Sequence, residues 1–234
     1  MSNQFTGFPK AGLQFLSDLV QNNNREWFTE HKPDFQKNIV EPAQAFVSAM
    51  GQRLETVTPN IRYDTRMNGS GSMTRIYRDT RFSKDKTPYK TWIGMVFWEG
   101  QGKKNESPGF YFGISQEGSG IHVGMHGFPK PMLTAYREAI VDEELGPALV
   151  DIIQSIRAAG LVVEGSYYKR APRGYDVAHP RIDLLLHNAL YASTPQLSPE
   201  IVTSPDLLDV CFNYFQQMAP LQQWLVKVDN RSEK

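Results

Sequence analysis

The chain has 234 residues, with 25 basic and 25 acidic side chains and therefore no formal net charge. This length is ample for one domain with a large core or for two small domains. The balanced charge argues against general attraction to nucleic acid or anionic lipid, because any such attraction must come from a local patch. The single cysteine, Cys211, excludes an internal disulfide and a thiolate-rich metal site.

The start of the sequence carries no targeting pattern. The first ten residues have neither the basic start nor the apolar stretch of a signal peptide, and no apolar run approaches the length of a membrane span. We therefore expect a cytoplasmic protein that makes no membrane contact. Cys211 lies next to Phe212 and close to Phe215, a setting that favours a buried thiol over a catalytic one.

The N-terminal part of the chain is predicted to be helical. Residues 11–20 have apolar side chains at helical spacing, and Asn23 followed by Glu26 resembles the capping box of a second helix. Pro42 is expected to kink or split a longer helix that follows. The apolar stripe of that helix consists of Phe35, Ile39, Phe46, Met50 and Leu54.

Residues 75–90 are the most distinctive segment, with six cationic side chains, two acidic ones and three aromatic ones. The β-branched and aromatic residues up to Phe82 favour a strand over a helix, and we predict a hairpin with Ser83–Pro88 at its tip. So many guanidinium and ammonium groups are typical of an anion-binding surface. The candidate ligand-binding residues are Arg75, Arg78, Arg81, Lys86, Tyr89 and Lys90.

This segment resembles the signature of a bacterial family catalogued as domain of unknown function (DUF) 2461. The residues that carry the resemblance are Arg75, Arg78, Asp79, Arg81, Phe82, Lys86 and Tyr89. The stretches Asn24-Arg25-Glu26-Trp27-Phe28 and Tyr168-Lys169-Arg170-Ala171-Pro172 also look familial, so that the resemblance covers nearly the whole chain. Because this family has no assigned activity, the resemblance does not indicate which activity or which catalytic residues to expect.

The middle of the chain has the alternating pattern of antiparallel strands. Residues 92–98 are apolar on both faces and are expected to form a central strand, followed by strands at 110–115 and 121–126. Glycines 94, 113 and 124 would form a shallow floor, covered by a helix or by a ligand. His122 and His126 would lie about 13 Å apart by strand rise, too far to share a metal ion, so we predict no metal site.

A second cationic cluster follows two predicted helices, at 131–141 and 145–159, and a predicted strand at 161–168. In this loop, Lys169–Arg181, the carboxylate of Asp176 would orient His179 as a general acid or base. The alternative is that both side chains pin the loop by hydrogen bonds. Further candidate ligand-binding residues here are Lys169, Arg170 and Arg173.

These elements predict a single α+β domain over residues 1–234, in which helices pack before and after a central, mainly antiparallel sheet. A short helix at 182–187 and a strand at 189–193 are expected after the loop. The chain is expected to close with an amphipathic helix or a helix pair, residues 207–225, broken near Pro220.

Three functions fit the two cationic clusters. The first is an anion-binding domain for a phosphate- or carboxylate-bearing small molecule, held where hairpin and loop converge beside Tyr77, Tyr89 and Trp92. The second is a single-stranded nucleic-acid-binding module, in which lysines contact phosphates and aromatic rings stack on bases. The third is structural, an internal ion-pair network built on Asp79 and Asp85. No cofactor motif accompanies any of them.

Overall fold

A computed structural model describes residues 5–67, 69–100, 102–116 and 118–232. The N-terminal helices are α1 Lys10–Gln21, α2 Arg25–Glu30, α3 Lys32–Phe35 and α4 Glu41–Leu54, with a π-helical turn at Gln36–Val40. The first three strands are β1 Trp92–Trp98, β2 Gly109–Ser115 and β3 Ser119–Met125. The remaining elements are α5 Lys130–Val141, α6 Leu145–Ala158, β4 Val162–Ser166, α7 Ile182–Leu185, β5 His187–Ser193, α8 Pro199–Val202 and α9 Leu207–Ser232.

The five strands form one antiparallel sheet in the order β1-β2-β3-β5-β4. Leu190 of β5 lies opposite Met125 of β3, and Ser193 of β5 lies opposite Val162 of β4. Helices precede and follow the sheet in the chain, so that the predicted α+β fold is confirmed.

Strand β1 is at the edge of the sheet, and its predicted central position is therefore wrong. The irregular segment at 72–74 lies along its outer edge. Thr74 N donates to Gly94 O at 2.9 Å and Val96 N donates to Ser72 O at 3.0 Å, so these two backbone groups of the edge strand are paired without a further regular strand.

The described residues fall into two compact units. The first consists of Met1–Phe97, Tyr111–Ile121 and Gln196–Asn213, and the second of Trp98–Phe110, His122–Pro195 and Tyr214–Lys234. The 75–90 segment therefore belongs to the first unit, and the 169–181 loop belongs to the second.

The first unit has an aromatic core. The ring of Phe46 lies 5.2 Å from those of Phe5 and Phe112, centroid to centroid, and all three side chains are buried. The predicted stripe, which runs from α3 through the π-helical turn into α4, is likewise buried. Pro42 lies in the first turn of α4, directly after the π-helical turn, whose last hydrogen bond runs from Glu41 N to Gln36 O. The longer helix is therefore irregular next to the proline, as predicted, and the irregularity is a π-helical turn.

The cap of α2 differs from the predicted one. Trp27 N donates to the side-chain oxygen of Asn24 at 2.9 Å, so Asn24 is the N-cap residue and Asn23 is not. The capping-box prediction chose the wrong member of the asparagine run 22–24. Asn23 is thereby available for a different contact, described below.

The second unit contains two buried aromatic side chains whose polar ends form hydrogen bonds. Tyr136 is fully buried and its hydroxyl donates to Leu184 O at 3.0 Å, while Trp224 Nε1 donates to Leu145 O at 3.0 Å. Helix α9 runs through Pro220 without interruption, so the predicted break is wrong. Buried residues on both sides of the proline, Met218 and Leu221, anchor the helix where its hydrogen bonding is weakest.

Cys211 is buried as predicted, and burial raises the pKa of its thiol. Among the helices that the structure describes, none combines the length and the apolar character needed to cross a bilayer.

Candidate functional site

The 75–90 segment is an irregular hairpin. Tyr77 and Tyr89 form a single antiparallel bridge, flanked by bonds from Arg78 N to Pro88 O at 2.9 Å and from Lys90 N to Ile76 O at 2.7 Å. The predicted hairpin topology is present, but the predicted strand is not regular. One reason is Pro88, which has no N–H to extend the ladder. Ile76 and Tyr89 are buried and fix the base of the hairpin.

Asn23 holds the hairpin from outside. Its Nδ2 donates to Tyr89 O at 2.9 Å, and Tyr89 N donates to its Oδ1 at 3.0 Å. The Tyr89 ring in turn stacks on Phe28 of α2, with 4.0 Å between the ring centroids. Together these contacts fix the backbone at Tyr89, and hence the starting point of the Lys90 side chain.

The tip of the hairpin is held by Arg78, Asp85 and Thr87. The Arg78 guanidinium bonds to the Asp85 carboxylate and to the Thr87 hydroxyl, and Thr87 N donates to Asp85 Oδ1 at 2.9 Å. The Thr87 amide and then the Arg78 guanidinium lower the pKa of Asp85 to about 2. The positive charge of Arg78 is therefore neutralised by the Asp85 carboxylate.

Arg81 is neutralised in the same way. Its Nε and one terminal nitrogen donate to the two oxygens of Asp79 at 2.9 and 2.7 Å, and this pair lowers the pKa of Asp79 to about 2. Lys86 Nζ donates to Thr80 O at 2.8 Å. For Arg78 and Arg81, these contacts match the arrangement expected of an ion-pair network.

Arg75 and Lys90 are arranged differently. Neither forms an ion pair or a side-chain hydrogen bond within the described residues. Lys90 Nζ lies 4.7 Å from the ring centroid of Trp92, a cation–π contact. Burial lowers the pKa of Lys90, and the positive charge of Arg75 lowers it further. The positive charge of Arg75 thus acts on Lys90, and it also acts on the Asp79 carboxylate, whose pKa it helps to lower.

Two grooves meet at this hairpin, and both are lined by Asn23, Arg78, Thr87 and Tyr89. The first, which we call the Lys90 groove, has a volume of about 610 Å³ and also contains Lys90, Thr91 and Trp92. The second has a volume of about 810 Å³ and extends to Arg25, Glu26, Tyr77 and Lys86. Both are large enough for a small organic molecule.

The 169–181 loop is pinned by its own polar side chains. Asp176 Oδ1 accepts from Ala178 N at 2.9 Å, and His179 Nδ1 accepts from Arg181 N at 3.1 Å. His179 N donates to the backbone oxygen of Asp176 at 3.1 Å, but in the described chain no hydrogen bond joins the two side chains, so the carboxylate does not orient the imidazole. These contacts match the alternative in which both side chains pin the loop by hydrogen bonds. Because His179 Nδ1 is an acceptor, the proton of the neutral imidazole lies on Nε2.

Arg181 is a structural residue that the sequence did not single out. Its Nε donates to Ile140 O at 2.6 Å and a terminal nitrogen donates to Asp142 O at 3.3 Å, which satisfies carbonyls at the end of α5. The cations Lys169, Arg170 and Arg173 are exposed and form no ion pair with any residue that the structure describes. Convergence of this loop with the hairpin stays a prediction.

The predicted glycine floor is covered by a side chain of the sheet itself. A Cβ built on Gly94 would lie 2.5 Å from Tyr111 Cε2, and one on Gly113 would lie 2.5 Å from the Tyr111 hydroxyl. The Tyr111 ring therefore lies across both glycines. Burial raises the pKa of Tyr111 to about 12. Gly124 is different, because its backbone approaches Leu190 and Tyr191 of the neighbouring strand.

His122 and His126 are closer together than strand spacing predicted. Their ring centroids are 5.3 Å apart, and the His126 ring lies 4.0 Å from that of Tyr191. Strand β3 ends at Met125, so the backbone no longer holds His126 in the strand's alternation. No cluster of three or more metal-ligating side chains occurs among the described residues. Burial lowers the pKa of both imidazoles.

Comparison with known proteins bears on the chain as a whole. A search of curated proteins finds no match. The family model described as "Conserved hypothetical protein (DUF2461)" matches residues 11–224, a range that contains the hairpin, both grooves and the 169–181 loop. Because the match covers nearly the whole sequence, as the resemblance of the basic segment indicated, the chain belongs to the DUF2461 family.

Proposed function

We propose that the Lys90 groove binds a small molecule that carries a phosphate or carboxylate group. The observation that carries this proposal is Lys90, a half-buried cation that lines the groove and forms no ion pair in the described chain. The positive charge of the exposed Arg75 repels the Lys90 ammonium, and an anion bound beside both cations lowers this repulsion.

The geometry assigns different roles to the cations of the hairpin. Arg78 and Arg81 are occupied by Asp85 and Asp79, so they shape the hairpin and do not supply the main charge for a guest. Lys86 is occupied in part by Thr80 O. Arg75 and Lys90 are the anion anchors. The exposed loop cations Lys169, Arg170 and Arg173 remain candidates for a separate anionic contact.

The walls of the groove favour a guest with an apolar or planar portion beside its anionic group. Trp92 lies under the Lys90 ammonium and is partly exposed, and Val20 of α1 lines the same groove. The ionised carboxylates of Asp79 and Asp85 also line it. They repel an anion that is placed near Arg78, and this favours a position of the negative group beside the Lys90 ammonium.

Calorimetric titration with pyrophosphate and with citrate tests the proposal. We expect Lys90→Met and Arg75→Met each to weaken binding by about tenfold or more, since a hydrogen bond to a charged group contributes about 1.5–3 kcal/mol. Lys84→Met is the matched control for Lys90→Met, because Lys84 is an exposed lysine of the same hairpin that lines neither groove, whereas Lys90 is half-buried and lines one. Equal affinities in all four proteins, or an equal loss in the control, would show that the groove is not the site.

A second candidate function is single-stranded nucleic-acid binding, favoured by two exposed rings. Phe82 is 94% exposed and Tyr77 is 55% exposed, and both lie among cations of the hairpin. Base stacking on such rings contributes about 1–3 kcal/mol per base. If this function holds, Phe82→Ala weakens oligonucleotide binding and the affinity falls steeply with salt. Absence of binding to an unstructured oligonucleotide at low salt would dismiss it.

A further inference from the structure

Lys90 differs from the other lysines of the hairpin. Lys84 and Lys86 are exposed, and Lys86 Nζ is bonded to a backbone carbonyl. Lys90 is half-buried, its Nζ lies over the face of Trp92, and it lines a groove of about 610 Å³ that is open to a small molecule. No carboxylate holds this ammonium as an ion-pair partner within the described residues.

The pKa of Lys90 is lowered for two reasons. Burial removes water from the ammonium, and the neighbouring Arg75 guanidinium repels it; both effects lower the pKa of Lys90. A lysine amine that is desolvated or placed next to another cation is a stronger nucleophile near neutral pH than an ordinary lysine, because more of it is unprotonated. Asp79 and Asp85 line the groove, but each is engaged by an arginine of the hairpin.

We propose that Lys90 is a nucleophile that forms an imine with small aldehydes or ketones carrying a carboxylate or phosphate group. This inference rests on the proposed anion site, because Arg75 holds the anionic group while Lys90 attacks the carbonyl carbon. The class of guest is thereby narrowed from any small anion to anionic carbonyl compounds, such as 2-oxo acids.

The reaction uses groups present in the groove and solvent water. The lone pair of the neutral Nζ attacks the carbonyl carbon, and the π electrons move to the oxygen. One proton passes from nitrogen to that oxygen through water and gives a carbinolamine. The C–O bond then breaks as the nitrogen lone pair forms the C=N bond, and the oxygen leaves as water after taking a proton from solvent. The net change is amine, carbonyl and one proton to iminium and water, with no oxidation or reduction.

Reductive trapping tests this inference directly. The protein is incubated with glyoxylate and sodium cyanoborohydride, whose hydride reduces the iminium to a stable secondary amine, and the modified lysines are located by peptide mass spectrometry. We expect Lys90 to be labelled several-fold faster than the exposed Lys84, because burial and the charge of Arg75 lower the pKa of Lys90. Lys90→Arg keeps the charge and abolishes this label, whereas Lys84→Arg leaves the label on Lys90 unchanged.

A second comparison separates the two proposals. Acetaldehyde has the carbonyl group without the anion, so Arg75→Met is expected to slow labelling by glyoxylate but not by acetaldehyde. Even labelling of all exposed lysines, or unchanged labelling in Lys90→Arg, overturns the inference. If pyrophosphate binds and depends on Lys90 while no adduct forms, the imine inference fails and the anion site stands. If Lys90 is labelled equally fast by both aldehydes in the parent protein, the anion site fails.

Discussion

The side-chain amide of Asn23 and the backbone of Tyr89 form two hydrogen bonds. Asn23 Nδ2 donates to Tyr89 O at 2.9 Å, and Tyr89 N donates to Asn23 Oδ1 at 3.0 Å. A primary amide presents the same donor and acceptor as a peptide group, so Asn23 does for Tyr89 what a neighbouring strand does in a sheet. The hairpin has only one bridge of its own in the described residues, and this external clamp compensates for its short ladder.

Replacing Asn23 by alanine should loosen the hairpin. Both backbone groups of Tyr89 would lose their partner, and we expect the free energy of unfolding to fall by about 2 kcal/mol. Urea denaturation measures this loss, and amide hydrogen exchange at Tyr89 should become faster. Asn22→Ala is the control, since the Asn22 side chain bonds only to Asp18 O at the end of α1. Unchanged exchange at Tyr89 in Asn23→Ala would contradict the clamp.

Gly94→Ala should destabilise the first unit through Tyr111. The new methyl group would lie 2.5 Å from the ring, and overpacking of this kind costs about 1–3 kcal/mol. Gly127→Ala should change stability by less than about 0.5 kcal/mol, because no atom lies within 4 Å of its added Cβ. In a Tyr111→Leu background the cost of Gly94→Ala should shrink, and thermal unfolding of the four proteins gives the coupling.

The raised pKa of Tyr111 predicts an alkaline loss of stability. Its pKa of about 12 in the folded protein lies above the ordinary value of 10.0, so burial disfavours the phenolate. The contribution of this phenol to stability is full below pH 10 and is lost as the pH rises through about 12. Tyr111→Phe should therefore lose less stability between pH 10 and 12 than the parent, as measured by urea unfolding across this range. An identical decline in both proteins would speak against Tyr111 as a cause.

The carboxylate of Asp85 predicts an effect at acid pH. Its pKa is lowered from 3.8 to about 2, so its support for the hairpin tip is present above the ordinary value and is lost as the pH falls through about 2. Because the Thr87 amide is the largest cause and Arg78 the second, Arg78→Met should raise the pKa only part of the way back. Carbon-13 NMR of the Asp85 carboxyl group measures both midpoints, and a return to 3.8 in Arg78→Met would contradict this order of causes.

Arg181→Met should destabilise the second unit. The variant removes two hydrogen bonds from a charged donor to carbonyls at the end of α5, and we expect a loss of about 1.5–3 kcal/mol in the free energy of unfolding. Arg173→Met is the matched control from the same loop, because Arg173 is exposed and should change stability by less than about 0.5 kcal/mol. Equal stability of the two variants would show that Arg181 does not hold this helix end.

Sequence patterns sufficed for the elements whose side chains repeat at a fixed period. The stripe of α4 and the alternation in β2 and β3 each encode one buried face, and these elements form where the pattern placed them. The continuity of α9 could not be predicted in this way. The local geometry of Pro220 predicts a break, but burial of the surrounding residues keeps the helix intact. The edge position of β1 was not predicted either, because the segment 72–74 that lies along its outer edge is irregular and has no periodic sequence pattern.

The basic hairpin could be located from the sequence, but its ion pairs could not. The sequence identified the basic segment, yet it gave no means to separate Arg78 and Arg81, which have acids of their own, from Arg75 and Lys90, which do not. The Asn23 clamp joins residues that are 66 positions apart, and three consecutive asparagines hid which of them makes the long-range contact. The approach of His126 to His122 arose because the strand ends between them and ordinary strand spacing no longer applies.

The Tyr111 ring across Gly94 and Gly113 couples these three positions sterically. A relative with a larger residue at either glycine has to shrink or redirect the ring at the position of Tyr111, and a relative with a small residue there gains space that either glycine position can fill. Substitutions at these positions should therefore covary among homologues, even though Gly94 and Gly113 lie on different strands.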